Sequence, residues 1–107
     1  MSRPLPPADG CRLEPLGEGR YAVAGELGLV SATAMLAAGR AAFAGQPQVD
    51  VDLSRVGRAD SAGLAVLIEW TRLARLAGTR ITFHALPDRL SALARIGGVD
   101  QLLPIAG

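Results

Sequence analysis

At 107 residues, half of them hydrophobic, the chain is long enough for one buried core, too short for two and too apolar to be disordered. A formal net charge of +1 gives no basis for nucleic acid or an anionic membrane as the main partner, and the eleven basic residues, all arginines, are scattered as a solvated surface is. Aromatic residues make up only 4%, so the core is expected to be built from Leu, Val, Ile and Ala.

Residues 1–10 carry prolines at 4, 6 and 7 and are expected to form a loose extended tail. They have no apolar h-region and do not read as a signal peptide, and no run approaches the ~18 apolar residues of a membrane span. Cys11 is the only cysteine, which precludes an intramolecular disulfide and suits a reducing cytosol. Residues 11–107 are expected to form one domain.

Cys11 to Leu16 alternates apolar and polar residues, as a strand exposed on one face does, and Pro15 points to a sheet edge. Gly17-Glu18-Gly19 reads as a turn. Arg20 to Leu27 resumes the alternation through Tyr21 and Val23, giving a hairpin. Ser31 or Thr33 then caps a helix to about Phe43, with Ala32, Met35, Leu36, Gly39 and Phe43 on its packing face. Gly45-Gln46-Pro47 ends it.

The central stretch runs from Val49 to Thr71. Val49, Val51 and Leu53 share one face of a strand over 49–53, and Ser54 to Arg58 reads as a polar loop. From Ala59 the chain leads into a long helix through Gly78, with Asp60 and Ser61 both suited to cap it. A hydroxyl there sits at the positive end of the helix dipole, where an anion is tolerated. At ~100° per residue, Val66, Leu67, Trp70, Leu73, Ala74 and Ala77 gather on one face, with Glu69 and Arg72 opposite. Leu64, Ala65, Ile68 and Leu76 fall at the margins of the polar side. They read either as ordinary rim residues or as apolar anchors in a partner-binding strip tipped by Ser61.

Arg80 to Ala85 is a further strand. Pro87-Asp88 opens a third helix with Leu90, Leu93 and Ala94 buried, and Gly97-Gly98 closes it. Val99 to Pro104 is expected to bring Leu102 and Leu103 onto the core. The order is β-β-α-β-α-β-α, an α/β class with parallel pairing across the later crossovers and an antiparallel edge.

Most catalytic chemistries find no support. Ser61 lies in Asp-Ser-Ala-Gly, not in a Gly-x-Ser-x-Gly elbow, and the single histidine, His84, reads as a rim residue. Asp50 and Asp52 alternate on one strand face, but without a Cys or His cluster they do not make a metal site; Asp52 is read as bracing the following loop. The chain has no lysine, which excludes a Walker-type phosphate loop, and no dinucleotide fingerprint follows a strand. Neither cofactor nor metal is expected. By residue chemistry alone, Ser61 is a helix cap worth roughly 1 kcal/mol over alanine.

The run Asp52-Leu53-Ser54-Arg55-Val56 followed by Asp60-Ser61-Ala62-Gly63-Leu64 resembles the core signature of STAS domains, and the likeness extends from about Cys11 to Pro104. That family includes the anti-sigma factor antagonists and the small cytoplasmic STAS subunit of the Mla phospholipid-transport ABC system. Ser54 to Ser61, with Leu67-Ile68-Glu69-Trp70 downstream, is more similar to the Mla subunit. The resemblance implies a mixed sheet packed by helices and a non-catalytic cytoplasmic subunit peripheral to the inner membrane. It further implies binding to a transporter ATPase, with a permease in the same complex, in maintaining outer-membrane lipid asymmetry. The expected partner surface is Asp60, Ser61, Gly63, Leu64 and Ile68, with Arg58 and Arg72 adding steering charge. Ser61 also matches the position that anti-sigma factor antagonists phosphorylate. The alternative is therefore an antagonist bound by an anti-sigma kinase and switched at Ser61, where phosphate brings up to about −2 charge.

Overall fold

A computed structural model describes residues 10–106; the expected tail lies outside them apart from Gly10. Four strands, β1 (Cys11–Gly17), β2 (Arg20–Leu27), β3 (Gln48–Ala59) and β4 (Arg80–His84), form one sheet in chain order. β1 and β2 are an antiparallel hairpin with β1 at the edge, as Pro15 suggested; β2–β3 and β3–β4 are parallel. Three helices, α1 (Ala32–Phe43), α2 (Ser61–Leu76) and α3 (Asp88–Ile96), alternate with the later strands. This is the mixed α/β order read from the sequence.

Strand alternation decides where the core sits. Val49, Val51 and Leu53 of β3, with Ile81 and Phe83 of β4 and Val23 of β2, turn to one face and are buried there. Met35 and Phe43 of α1, Val66, Leu67 and Trp70 of α2, and Leu90 and Ala94 of α3 complete the same cluster. Asp50, Asp52, Thr82 and His84 fall on the other face. Three rings tie β2, α1 and α2 together: Tyr21 and Trp70 each meet Phe43 edge-on with centroids 5.2 Å apart. The Tyr21 hydroxyl donates to Ala42 O at 3.0 Å. α1 crosses α2 at Gly39, where an added Cβ would lie 2.2 Å from Trp70 Nε1.

Several boundaries differ from the sequence reading, each for a tertiary reason. Ser54 to Arg58 is not a loop. β3 continues to Ala59 because Arg55, Val56 and Ala59 pair with Ala24, Gly25 and Leu27 of β2, across two shifts of register. Val56 is buried as a result. Ala85 leaves the last strand by adopting a left-handed φ of 59°. On α2, Leu64 is buried, Leu73 is only partly so and Ala77 is exposed, so the inward face is rotated toward Leu64 and Thr71. Leu103 packs on the core, whereas Leu102 stands 44% exposed on a single 3-10 turn (Asp100–Leu102). Beyond it, Ile105 bridges to Phe83 in parallel and continues the sheet past β4.

Candidate site at the start of the central helix

The site begins with the change of direction at Asp60. Its backbone is extended, and Oδ1 accepts from Ala62 N at 2.8 Å and Gly63 N at 3.2 Å, capping α2. Oδ2 accepts from Leu29 N at 3.1 Å, reaching into the connection between β2 and α1. The N–H of Leu29, followed by those of Gly63 and Ala62 and by the positive charge of Arg89, holds the Asp60 carboxyl below its ordinary value of 3.8.

Because Asp60 performs the capping, Ser61 does not. Ser61 is the first helical residue and exposed, and its hydroxyl makes no hydrogen bond among the described residues. That corrects the reading of Ser61 as a cap and leaves a spare hydroxyl at the positive end of a sixteen-residue helix.

The other residues singled out in sequence divide into two groups. Gly63 and Leu64 are buried: a Cβ at Gly63 would come 2.1 Å from Leu27 O, so Gly63 is what lets α2 seat against β2. They shape the surface from below and do not line it. Arg58 and Arg72 are exposed and Ile68 is half-buried. Arg72 is held by Glu69 through a two-pronged pair at 2.6 and 2.9 Å, which raises the guanidinium pKa and lowers that of Glu69.

Two residues escaped the sequence reading. Leu29 and Val30 are 78% and 79% exposed on the turn between β2 and α1. They line a cleft of about 300 Å³ with Gly28, Ser31, Arg58 and Asp60. The available signal was an apolar pair placed between a strand end and a helix cap, outside the packing period of either element.

Elsewhere, His84 Nε2 meets Asp50 Oδ1 at 2.8 Å on the open face of the sheet and makes no bond to Ser61. Asp52 Oδ1 accepts from Ser54 N at 2.9 Å, bracing the next residues within the strand. The His84 hydrogen bond lowers the Asp50 pKa, and the Ser54 backbone bond lowers that of Asp52. Among the described residues no group of three His, Cys, Asp or Glu side chains is placed to hold a metal ion. No helix among them is long and apolar enough to cross a membrane.

The family model described as "Mlab, STAS domain" matches residues 15–104. The chain is a STAS domain. It is 39% identical over 46 residues to the intermembrane phospholipid transport system binding protein MlaB of Escherichia coli, a stretch covering 43% of this chain and 47% of that protein. The chain thus spans about half the length of the curated relatives it matches. Among solved structures, an anti-sigma factor antagonist from Mycobacterium paratuberculosis superposes with a TM-score of 0.71 at 24% identity, over 94% of this chain and 89% of that one. The antagonist SpoIIAA in its unphosphorylated form gives 0.66 at 17% identity, over 91% and 88%. These likenesses establish the shared STAS fold; the sequence match is to MlaB.

Proposed function

We propose that this STAS domain is a non-catalytic subunit that binds the ATPase of a phospholipid ABC transporter and stabilises or regulates its assembly. Its docking surface is the N-terminal end of α2. One observation carries the reading: Asp60 meets the helix's capping needs and leaves the Ser61 hydroxyl unbonded and exposed. A serine that serves neither cap nor core at the most electropositive point of the helix is available for a partner. The partial match to MlaB supplies the class of partner.

His84 is engaged by Asp50 and does not approach Ser61, so a hydrolytic pair is absent among the described residues. ATP hydrolysis belongs to the partner, and the permease of the same complex spans the bilayer.

The same exposed hydroxyl favours one second reading, an anti-sigma factor antagonist switched by phosphorylation of Ser61. Affinity purification from the native cells in mild detergent separates the two. Recovery of an ABC ATPase with its permease supports the transporter subunit. Recovery of a serine kinase that phosphorylates wild type, but not Ser61→Ala, in the presence of ATP replaces it with the antagonist.

A further inference from the structure

The C-terminal halves of α1 and α2 leave a cleft of about 230 Å³ between them, at the opposite end of α2 from Ser61. Phe43, Trp70, Ala74 and Thr79, all buried, form its floor. The cleft exists because the flanking positions are small: Gly39 and Ala44 on one side, Ala77 on the other. An apolar hollow of this size holds water poorly and accepts apolar guests.

The polar groups that border it are donors. Trp70 is 1% exposed, and its Nε1 is buried without a hydrogen-bond partner among the described residues. That edge of the indole is turned to Gly39, where an added Cβ would stand 2.2 Å from Nε1 and 2.4 Å from Cε2. The N–H therefore lies at the wall of the cleft. Interiors pair such groups, and a leftover donor beside a cleft calls for an acceptor that the chain itself does not supply. Arg40, next in sequence after Gly39, is exposed and is the one charged residue lining the cleft. Glu69, whose carboxylate feels the charge of Arg40, does not line it and is held by Arg72.

Acceptors at the cleft are already in use. Phe43 O accepts from Gln46 N at 3.1 Å, and Leu73 O accepts from Ala77 N at 3.1 Å. Ala74 O accepts from Ala77 N at 3.1 Å and from Thr79 N at 2.8 Å. The Thr79 hydroxyl donates to Gln46 O at 2.7 Å.

We propose that this cleft binds one medium-length acyl chain, with its methylenes on the floor and its carboxylate beside Arg40 and the indole edge of Trp70. The apolar floor excludes a polar body, and a border of donors selects an acceptor head. A volume below the ~300–1,000 Å³ of drug-sized sites suits a single flexible chain. The C-terminal ends of α1 and α2 would by themselves repel an anion. Their carbonyls are bonded, and Arg40 stands in the last turn of α1, where its guanidinium offsets that repulsion and can pair with a carboxylate. The site is independent of the transporter reading, which concerns the Ser61 end of α2.

The test is calorimetric titration of the full chain with decanoate, below its micelle concentration, alongside the uncharged decanol. The proposal expects saturable one-to-one binding of decanoate, with decanol at least about tenfold weaker. Arg40→Gln and Trp70→Phe each weaken decanoate binding, and Ala77→Leu, which fills the cleft from its rim, abolishes it. Ala77 is exposed with helical backbone angles, so the larger side chain is compatible with folding. Ile96→Ser, an exposed apolar residue on α3, binds as wild type and controls for adhesion to surface hydrophobics. Absence of binding overturns the proposal, as does uptake of many molecules without saturation. Ala77→Leu binding as wild type overturns the location, and decanol binding as well as decanoate overturns the recognition of the head.

Discussion

Asp60 uses its two carboxylate oxygens on two different parts of the chain, Oδ1 on the first turn of α2 and Oδ2 on the backbone N–H of Leu29, thirty-one residues earlier. Its neighbour Ser61 uses its hydroxyl on nothing among the described residues. Adjacent positions that look interchangeable as caps therefore differ sharply in what they stabilise. Asp60→Ala is expected to cost about 1–2 kcal/mol, the upper range for a helix cap. Ser61→Ala is expected to stay within about 0.5 kcal/mol of wild type. Urea denaturation of the two variants checks both, and a Ser61→Ala loss as large as that of Asp60→Ala would refute the assignment of the cap.

The depressed Asp60 pKa gives the interaction a pH signature. A carboxyl lowered on folding contributes stability that is fully present above its ordinary value of 3.8 and is lost as pH falls through the lower folded value. The stability gap between wild type and Asp60→Asn should therefore be constant from neutral pH down to about pH 5 and then close on further acidification. Thermal melts of the pair across that range are the measurement. A gap that widened in acid would contradict the bonds drawn to Asp60.

Gly39 is the contact point of α1 on Trp70, and an alanine methyl has no room beside the indole. Overpacking of this kind costs about 1–3 kcal/mol. Trp70 is the sole tryptophan, and its Nε1 is buried without a partner, so the fluorescence reports the packing around this indole, Gly39 and Phe43 included. Gly39→Ala is expected to lower the melting temperature and shift the emission maximum together. An unchanged spectrum would mean that α1 does not sit on the indole.

Arg72 and Glu69 form a close pair, yet both are substantially solvated, with 57% and 32% of their side chains exposed. Solvent screens such a pair, and it contributes little to stability. Arg72→Ala should leave the denaturation midpoint nearly unchanged, so any loss of partner binding in that variant reports a lost contact at the proposed docking surface and not a weakened fold.

The order of elements was legible because each rests on a local pattern: alternation in β2 and β3, three- and four-residue spacing in α1 and α2, and glycine or proline stops between them. Pro15 marked the edge strand correctly. What was not legible depends on groups distant in sequence. The polar run Ser54 to Arg58 has no strand pattern of its own and is extended only because β2 lies beside it. Leu64, read as marginal, is buried because Gly63 lets the helix close on Leu27. The choice of Asp60 over Ser61 as the cap was a matter of one residue of register, and either side chain satisfies the local rule. Leu29 and Val30 belong to no periodic pattern, and only the bonds of their turn to Asp60 and Ser31 show them to be fixed in place.

The parallel pairing of β2 with β3 also bears on when the site comes into being. The β1–β2 hairpin is local and closes early, but β2 meets β3 only after α1 has crossed between them, a non-local step that slows folding. Leu29 follows the end of β2 and Asp60 the end of β3, so the bond between them lies where that pairing finishes. A chain caught with the parallel pair open has Ser61 in its sequence but no assembled surface around it. On the proposed function, a partner that docks at Ser61 would therefore accept the finished domain and pass over the half-folded one.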